Sequence, residues 1–317
     1  MQTILVAGGA GFIGSHLCES LLKDGHKVIC VDNLLTGSRS NIEHLLDNPL
    51  FSFVNHNVIR ALPDTEHIDA IFHLASPASP NHHSKLSYHA LPMETMLVNT
   101  QGTLELLKVA EKNQAKFLFA STSEAYGDPL EHPQTEEYRG NVSPIGPRAV
   151  YDEAKRFGET ITSYFWRERQ VDARIVRIFN TYGPRLSKSD MRMISVFIIQ
   201  AFGDKPITIF GDGTQTRSLC YVDDLVEGLE RLMFSANTRG QVVNLGSTEE
   251  HTVIEYATMV KELTGSKSEI VHTEDLPEDD PVKRRPDINK AKMLLDWEPK
   301  VGLKEGLLKM IEDYKSV

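Results

Sequence analysis

The stretch Thr3-Ile-Leu-Val-Ala7-Gly8-Gly9-Ala10-Gly11-Phe12-Ile13-Gly14 decides the fold. Its first five residues are apolar and partly β-branched, which predicts a buried strand. Three glycines follow at three-residue intervals, Gly8, Gly11 and Gly14. Leu17, Leu21 and Leu22 then recur at helical spacing as far as Gly25, a helix stop. A second apolar run, Lys27-Val-Ile-Cys-Val31, ends in Asp32-Asn33, which completes a βαβ unit of about 30 residues. The three glycines serve different ends. Gly8 permits a tight turn, Gly11 lets backbone approach a pyrophosphate, and Gly14 lets helix pack on strand. Phe12 and Ile13 open the helix, whose N-terminal N–H groups face the same point. The unit therefore predicts dinucleotide binding on a Rossmann-type fold. Asp32, with Asn33 beside it, is placed to bond ribose hydroxyls and to repel a 2′-phosphate, which selects NAD over NADP. The alternative for Asp32 is a plain turn residue.

Further strands are expected at Phe51–Asn55, Ala70–Leu74, Phe117–Ala120, Ala173–Ile178 and Gln241–Leu245, the last returning to the main sheet. Asn57 follows one of them, where an amide suits the adenine amine or simply closes a loop. Leu74 leads into Ala75-Ser76-Pro77-Ala78-Ser79-Pro80, an irregular small-residue loop at a strand's C-terminal end, where ligands sit in this architecture. Leu74 and Ala75 are expected to touch the cofactor, and Ser76 and Pro77 the substrate. His82, His83 and His89 come next, but adjacent histidines lack helical ligand spacing and no acid adjoins them in sequence, so a loop and no metal are expected. Helices are predicted at Glu94–Asn113, with Leu97, Leu104, Leu107 and Val109 as the apolar side, and at 149–169. Both have apolar faces broader than one sheet requires, which predicts a homodimer with these helices bundled across a two-fold axis. Beyond residue 180 the pattern changes. Met193–Phe202, Val222–Met233, Val253–Leu263, Asn289–Leu295 and Leu303–Tyr314 read as helices, and Ile207–Phe210 as a short strand before a Gly211-Asp-Gly213 turn. An acidic loop, 274–280, and a basic run, Lys283-Arg284-Arg285, lie among them; the run can be a solvated face. The predicted architecture is α/β, a doubly wound parallel sheet with a smaller C-terminal α/β substrate-binding domain. Residues 1–180, with 218–248 returning, form the first part; 181–217 and 249–317 form the second.

The 317 residues carry a net charge of −10, which argues against nucleic acid as partner. Three scattered cysteines fit a reducing compartment without structural zinc. No apolar run reaches the roughly 18 residues of a membrane helix. The apolar start runs directly into the glycine motif instead of resembling a signal peptide. No membrane association and a cytoplasmic location are expected.

Chemistry is carried by Ser121-Thr-Ser-Glu-Ala-Tyr-Gly127 and, about 30 residues on, Tyr151-Asp-Glu-Ala-Lys155. On a helix, Tyr151 and Lys155 share one face. A phenol of pKa near 10 is a poor base, but a Lys ammonium and a nicotinamide cation favour the phenolate. Tyr151 is then the base for a sugar hydroxyl, Thr122 holds that oxygen, and Lys155 also meets the nicotinamide ribose.

The glycine motif, Thr122 and the Tyr151/Lys155 pair resemble the extended short-chain dehydrogenase/reductase family, over essentially the whole chain. That family includes nucleotide-sugar epimerases, 4,6-dehydratases and decarboxylases. His73-Leu-Ala-Ser-Pro-Ala-Ser-Pro80, Ser121 through Pro129, Gly146-Pro-Arg-Ala149, Arg177-Ile-Phe-Asn-Thr181 and Arg284-Arg-Pro-Asp-Ile288 resemble its UDP-glucuronate decarboxylase branch. The resemblance implies NAD as cofactor, UDP-glucuronate as substrate and UDP-xylose as product, through a 4-keto intermediate and with NAD recycled. It places Glu124 and Arg284 at the substrate carboxylate or the protonation step, with the diphosphate as an alternative for Arg284. Ser123, Asn180 and Arg217 become nucleotide-sugar contacts, Arg217 as a phosphate clamp or else a structural ion pair, and Ile207–Phe210 frames the uracil. The chain departs from the branch at Asn57, Ala125 and the longer His82-His83 loop. A 4,6-dehydratase or a 4-epimerase is the alternative activity.

Overall fold

The computed structural model describes residues 1–63, 66–276 and 280–316; Pro277, Glu278 and Asp279 of the expected acidic loop lie outside the described residues. The opening stretch forms β1 (Thr3–Ala7) and α1 (Phe12–Lys23), followed by β2 (Lys27–Asp32), β3 (Phe51–Asn55) and β4 (Ala70–His73). Next come α2 (Pro92–Leu97), α3 (Thr103–Asn113), β5 (Lys116–Thr122), α4 (Ala149–Glu168) and β6 (Ala173–Ile178). The later part contains β7 (Thr181–Tyr182), α5 (Met193–Phe202), β8 (Ile207–Phe210), β9 (Thr216–Ser218), β10 (Cys220–Tyr221), α6 (Val222–Phe234) and β11 (Val242–Leu245). It closes with β12 (Glu250–Thr252), α7 (Val253–Thr264), β13 (Ile270–Glu274), β14 (Lys283–Arg284), α8 (Asn289–Leu295) and α9 (Leu303–Ser316).

Seven parallel strands form one sheet in the order β11-β6-β5-β4-β1-β2-β3. The order reverses between β1 and β4, so the crevice at their C-terminal ends is the ligand position of this fold class. Alternation along β1 supplies both faces: Ile4 and Val6 enter one core cluster with Leu17, Cys18 and Leu21 of α1, while Leu5 and Ala7 enter another with Phe117 and Phe119 of β5. The smaller β8–β13 pair is parallel, and β9 lies between antiparallel β12 and parallel β14. No described helix is long and apolar enough to cross a membrane.

The expected single helix at Glu94–Asn113 is interrupted. Val98–Gly102 is wound as a π-helix between α2 and α3. Within it, Asn99 Nδ2 donates to both the Thr95 carbonyl and Ser76 Oγ, at 2.9 Å each. A side chain competing for the backbone carbonyl in this way suits a local widening of the helix. Burial along the expected apolar face is graded. Leu107 is buried with Leu106, Val98 and Ala110, but Leu104 and Val109 are only partly covered and Leu97 is exposed.

Candidate active site

The glycines build a floor of bare backbone. Gly8 has φ +81°, in the left-handed region, and its N–H donates to Val31 O at 2.8 Å. A Cβ on Gly8 would stand 2.7 Å from the Ala75 nitrogen, and one on Gly14 would stand 2.1 Å from the Gly8 oxygen. Gly11 caps α1 without a side-chain bond. Phe12, Ile13 and Gly14, at the open end of that helix, line the cleft. Asp32 ends β2, 8% exposed, with Oδ2 accepting from Ala10 N–H at 3.0 Å and Oδ1 from Leu34 N–H at 2.8 Å. Burial raises its pKa, against the pull of those backbone bonds. Asp32, Asn33, Asn57, Ala75 and Pro77 line the β2 end of the crevice, and Leu74 and Ser76 line both ends. Asn57 Oδ1 accepts from Ile59 N–H at 3.2 Å, so its amide already closes a turn. Bare glycine backbone, an open helix N-terminus and a buried acid at the second strand's end are what a dinucleotide requires, and these residues fit one.

The same cleft, of about 1600 Å³, also holds Thr122, Glu124, Tyr151 and Lys155. Tyr151 and Lys155 lie on the buried face of α4, as their spacing predicts. Tyr151 hydrogen-bonds Thr122 at the end of β5. Lys155 Nζ donates to Ala120 O at 2.7 Å and sits 5.7 Å from the Tyr151 ring centre. Here the electrostatics differ from expectation. Burial, then the Glu124 charge, push the Tyr151 phenol upward despite the Thr122 bond, and burial pushes Lys155 down to about 7. In the protein alone, loss of water at this site outweighs the Lys–Tyr attraction.

Beyond Tyr151 stands a wall of charge. Glu124, 7% exposed, pairs with Arg148 Nη2 at 2.8 Å and Arg284 Nη1 at 3.6 Å and accepts from Tyr88 OH at 3.2 Å. Arg148 Nη1 continues to Asp280 at 2.9 Å, and Asp280 to Arg217 Nη2 at 2.7 Å. The buried Asp152 carboxyl adjoins Glu124 and is electrostatically linked to it. Burial alone would raise Glu124, but Arg148 and Arg284 hold it ionised. Burial and then the Glu124 charge push the Asp152 carboxyl up to about 8, toward its neutral form, against the pull of Arg148 and Arg284. Three guanidiniums thus face two carboxylates and a neutral acid, a surplus of one positive charge suited to an anion. Arg284 is 4% exposed and its Nε has no hydrogen-bond partner among the described residues. The basic run is therefore no solvated face at Arg284, which β14 turns inward. Arg217 is engaged in the ion pair that its alternative reading named, while also lining the cleft. Ser123, in the turn after β5, and Asn180, after β6, line it too, as do Ile209 and Phe210 of β8.

Sequence reasoning left out Arg148, Asp152, Asp280 and Tyr88. Arg148 had a signal, lying three residues before Tyr151 at the N-terminal cap of α4. Tyr88 had none, yet its ring stacks on Tyr151 with centres 4.8 Å apart and planes 10° apart. The histidine loop also needs correction. No acid adjoins His82 and His83 in sequence, but the fold brings Glu274 within 4.0 Å of His82 and 3.6 Å of His83.

Residues 4–246 match the model of the NAD dependent epimerase/dehydratase family. UDP-glucuronic acid decarboxylase 1 of Danio rerio is 49% identical over 313 residues, covering 98% of this chain and 72% of that protein. UDP-glucuronic acid decarboxylase 6 of Arabidopsis thaliana is 48% identical, covering 98% of this chain and 88% of that protein. Among solved structures, UDP-glucuronic acid 4-epimerase of Bacillus cereus, in complex with UDP-glucuronic acid and NAD, superposes with a TM-score of 0.85 at 30% identity, covering 99% of each chain. With its glycine cradle, its Thr–Tyr–Lys cluster and these full-length likenesses, the chain belongs to the NAD dependent epimerase/dehydratase family.

Proposed function

We propose that the protein is an NAD-dependent decarboxylase that converts UDP-glucuronate to UDP-xylose. One observation supports this most: Glu124 held between Arg148 and Arg284, one side chain beyond Tyr151, in a chain about half identical to UDP-glucuronic acid decarboxylases. NAD, when bound, would supply reversible hydride transfer at C4 of the sugar. Gly8, Gly11 and Gly14 with the first turn of α1 would hold its pyrophosphate, and Asp32 its ribose. Thr122 and Tyr151 engage the C4 hydroxyl, and Tyr151 takes its proton. A ketone at C4 makes the sugar carboxylate that of a β-keto acid, so the carbon–carbon bond breaks with its electron pair delocalised onto the ketone oxygen. Arg284, with its unpartnered Nε, and Arg148 orient the carboxylate and exclude a second anion. Glu124 faces the cleft while Asp152 behind it carries the proton, so the pair supplies a proton to C5 after CO2 leaves. Arg217 turns from Asp280 to the diphosphate. Asn180, Ser123, Ser76 and Pro77 position the nucleotide sugar, and β8 frames its base.

The same reading extends to assembly. Met93 and Leu97 on α2 and Phe157 and Tyr164 on α4 leave large apolar side chains exposed, which supports a homodimer through these helices. Residues 1–180 with 218–248 serve as the cofactor part, and 181–217 with 249–317 as the substrate part. Cys18, Cys30 and Cys220 are buried thiols, which supports a cytoplasmic setting.

Incubation with UDP-glucuronate and catalytic NAD tests the activity. Release of CO2 with UDP-xylose is expected. UDP-galacturonate without CO2 would instead indicate epimerisation, and no turnover of the sugar nucleotide would reject the reading.

A further inference from the structure

His82 and His83 lie in the loop after β4, and Glu274 ends β13, far away in sequence. Their ligand-capable atoms all fall within 4.8 Å of one another. Four ligands at about 2.0–2.1 Å in a tetrahedron stand roughly 3.4 Å apart. The present separations of 3.6 Å and 4.0 Å to the carboxylate therefore need only small side-chain rotations. All three side chains are about half exposed and free to make them. The backbones beneath them are already held. Asn81 Oδ1 accepts from His83 N–H at 2.9 Å, and Asn81 Nδ2 donates to Met191 O at 2.7 Å. Opposite, Gly211 N–H donates to Glu274 O at 2.8 Å. The His82 and His83 rings lie with centres 4.0 Å apart.

We propose that His82, His83 and Glu274 form a binding site for a zinc-class divalent cation that ties the β4 loop to the end of β13 across the mouth of the cleft. Two imidazoles and one carboxylate form a borderline donor set that favours zinc over calcium or magnesium, and three protein ligands leave a fourth position for water. Both histidines line the cleft, and so does Leu276, two residues after Glu274. A bound cation fastens one wall to the other.

The test uses the whole protein and reads no turnover, so its failure would leave the decarboxylase reading untouched. Co2+ is titrated as a visible-absorbing substitute for Zn2+. One equivalent should give the intense tetrahedral band, abolished by competing Zn2+. His83→Asn and Glu274→Gln, both on the surface, should each weaken binding on the order of ten- to a hundredfold, at least as much as loss of an outer-shell partner does. No band, or unchanged binding in both variants, would overturn the site. Hydrogen exchange with and without Zn2+ then tests the bridge. Amides of residues 81–85 and 270–276 should slow together; slowing in one segment alone, or in neither, would overturn it.

Discussion

The two ends of the cleft are built from different materials. The cradle at β1 and α1 is made almost wholly of backbone: glycines whose Cβ atoms would collide, an open helix end and one acid at the tip of the next strand. Its parts lie within about 30 consecutive residues. The wall beyond Tyr151 is made of long side chains, Glu124, Arg148, Arg217, Asp280 and Arg284, drawn from segments 160 positions apart. A backbone site tolerates no added atom but carries little charge. A side-chain site concentrates charge away from water and depends on every partner staying in place.

Removing Arg148 probes that dependence most severely. Arg148→Ala leaves Glu124 buried with Arg284, at 3.6 Å, as its remaining cation, and a loss of about 3–5 kcal/mol is expected by denaturant unfolding. The double variant Arg148→Met/Glu124→Gln should recover most of that stability without activity. A single variant as stable as the parent would show that the wall is not held together as a unit.

Tyr151→Phe addresses chemistry instead of cohesion. NAD binding should persist while turnover falls by about 10²–10⁴-fold, measured as CO2 release. Retained turnover would remove Tyr151 as the base.

Lys155 reverses the sign. Its folded pKa, about 7, lies below the ordinary lysine value. The unfolded chain therefore binds more protons between about pH 7 and 10.4, and stability rises with pH across that window. Lys155→Met should thus be more stable than the parent at pH 7, on the order of 1–4 kcal/mol, with the gain shrinking toward pH 10 and activity lost. A gain independent of pH would mean that the ammonium is not the cause.

The cradle should respond least to a single polar change. Asp32→Asn keeps one acceptor for two backbone donors, and NAD affinity should weaken about tenfold, near 1.4 kcal/mol, by calorimetry. A loss as large as that of Arg148→Ala would erase the contrast between the two ends.

The contrast also explains what could be read in advance. Strand, turn, helix and acid at residues 3–32 are local events, each dictated by neighbours in sequence, so the cradle and the parallel sheet were legible. Tyr151 and Lys155 were legible because helical spacing puts them on one face. Leu97 stands off the buried stripe of α3 because the π-helical stretch Val98–Gly102 rotates α2 relative to α3, a break that a regular 3.6-residue period does not show. The wall escaped because its bonds join residues whose separation no periodicity encodes.

By itself the sequence determined a dinucleotide fold, the family of the chain and the Thr122–Tyr151–Lys155 set, because backbone geometry and periodicity are short-range. Only the tertiary structure decided that Glu124 stays ionised between two arginines, that the Asp152 carboxyl beside it is pushed up, that Tyr88 stacks on Tyr151 and that Glu274 meets His82 and His83. Charge state and ligand grouping follow from burial and from which distant side chains meet, and those are properties of the packed chain.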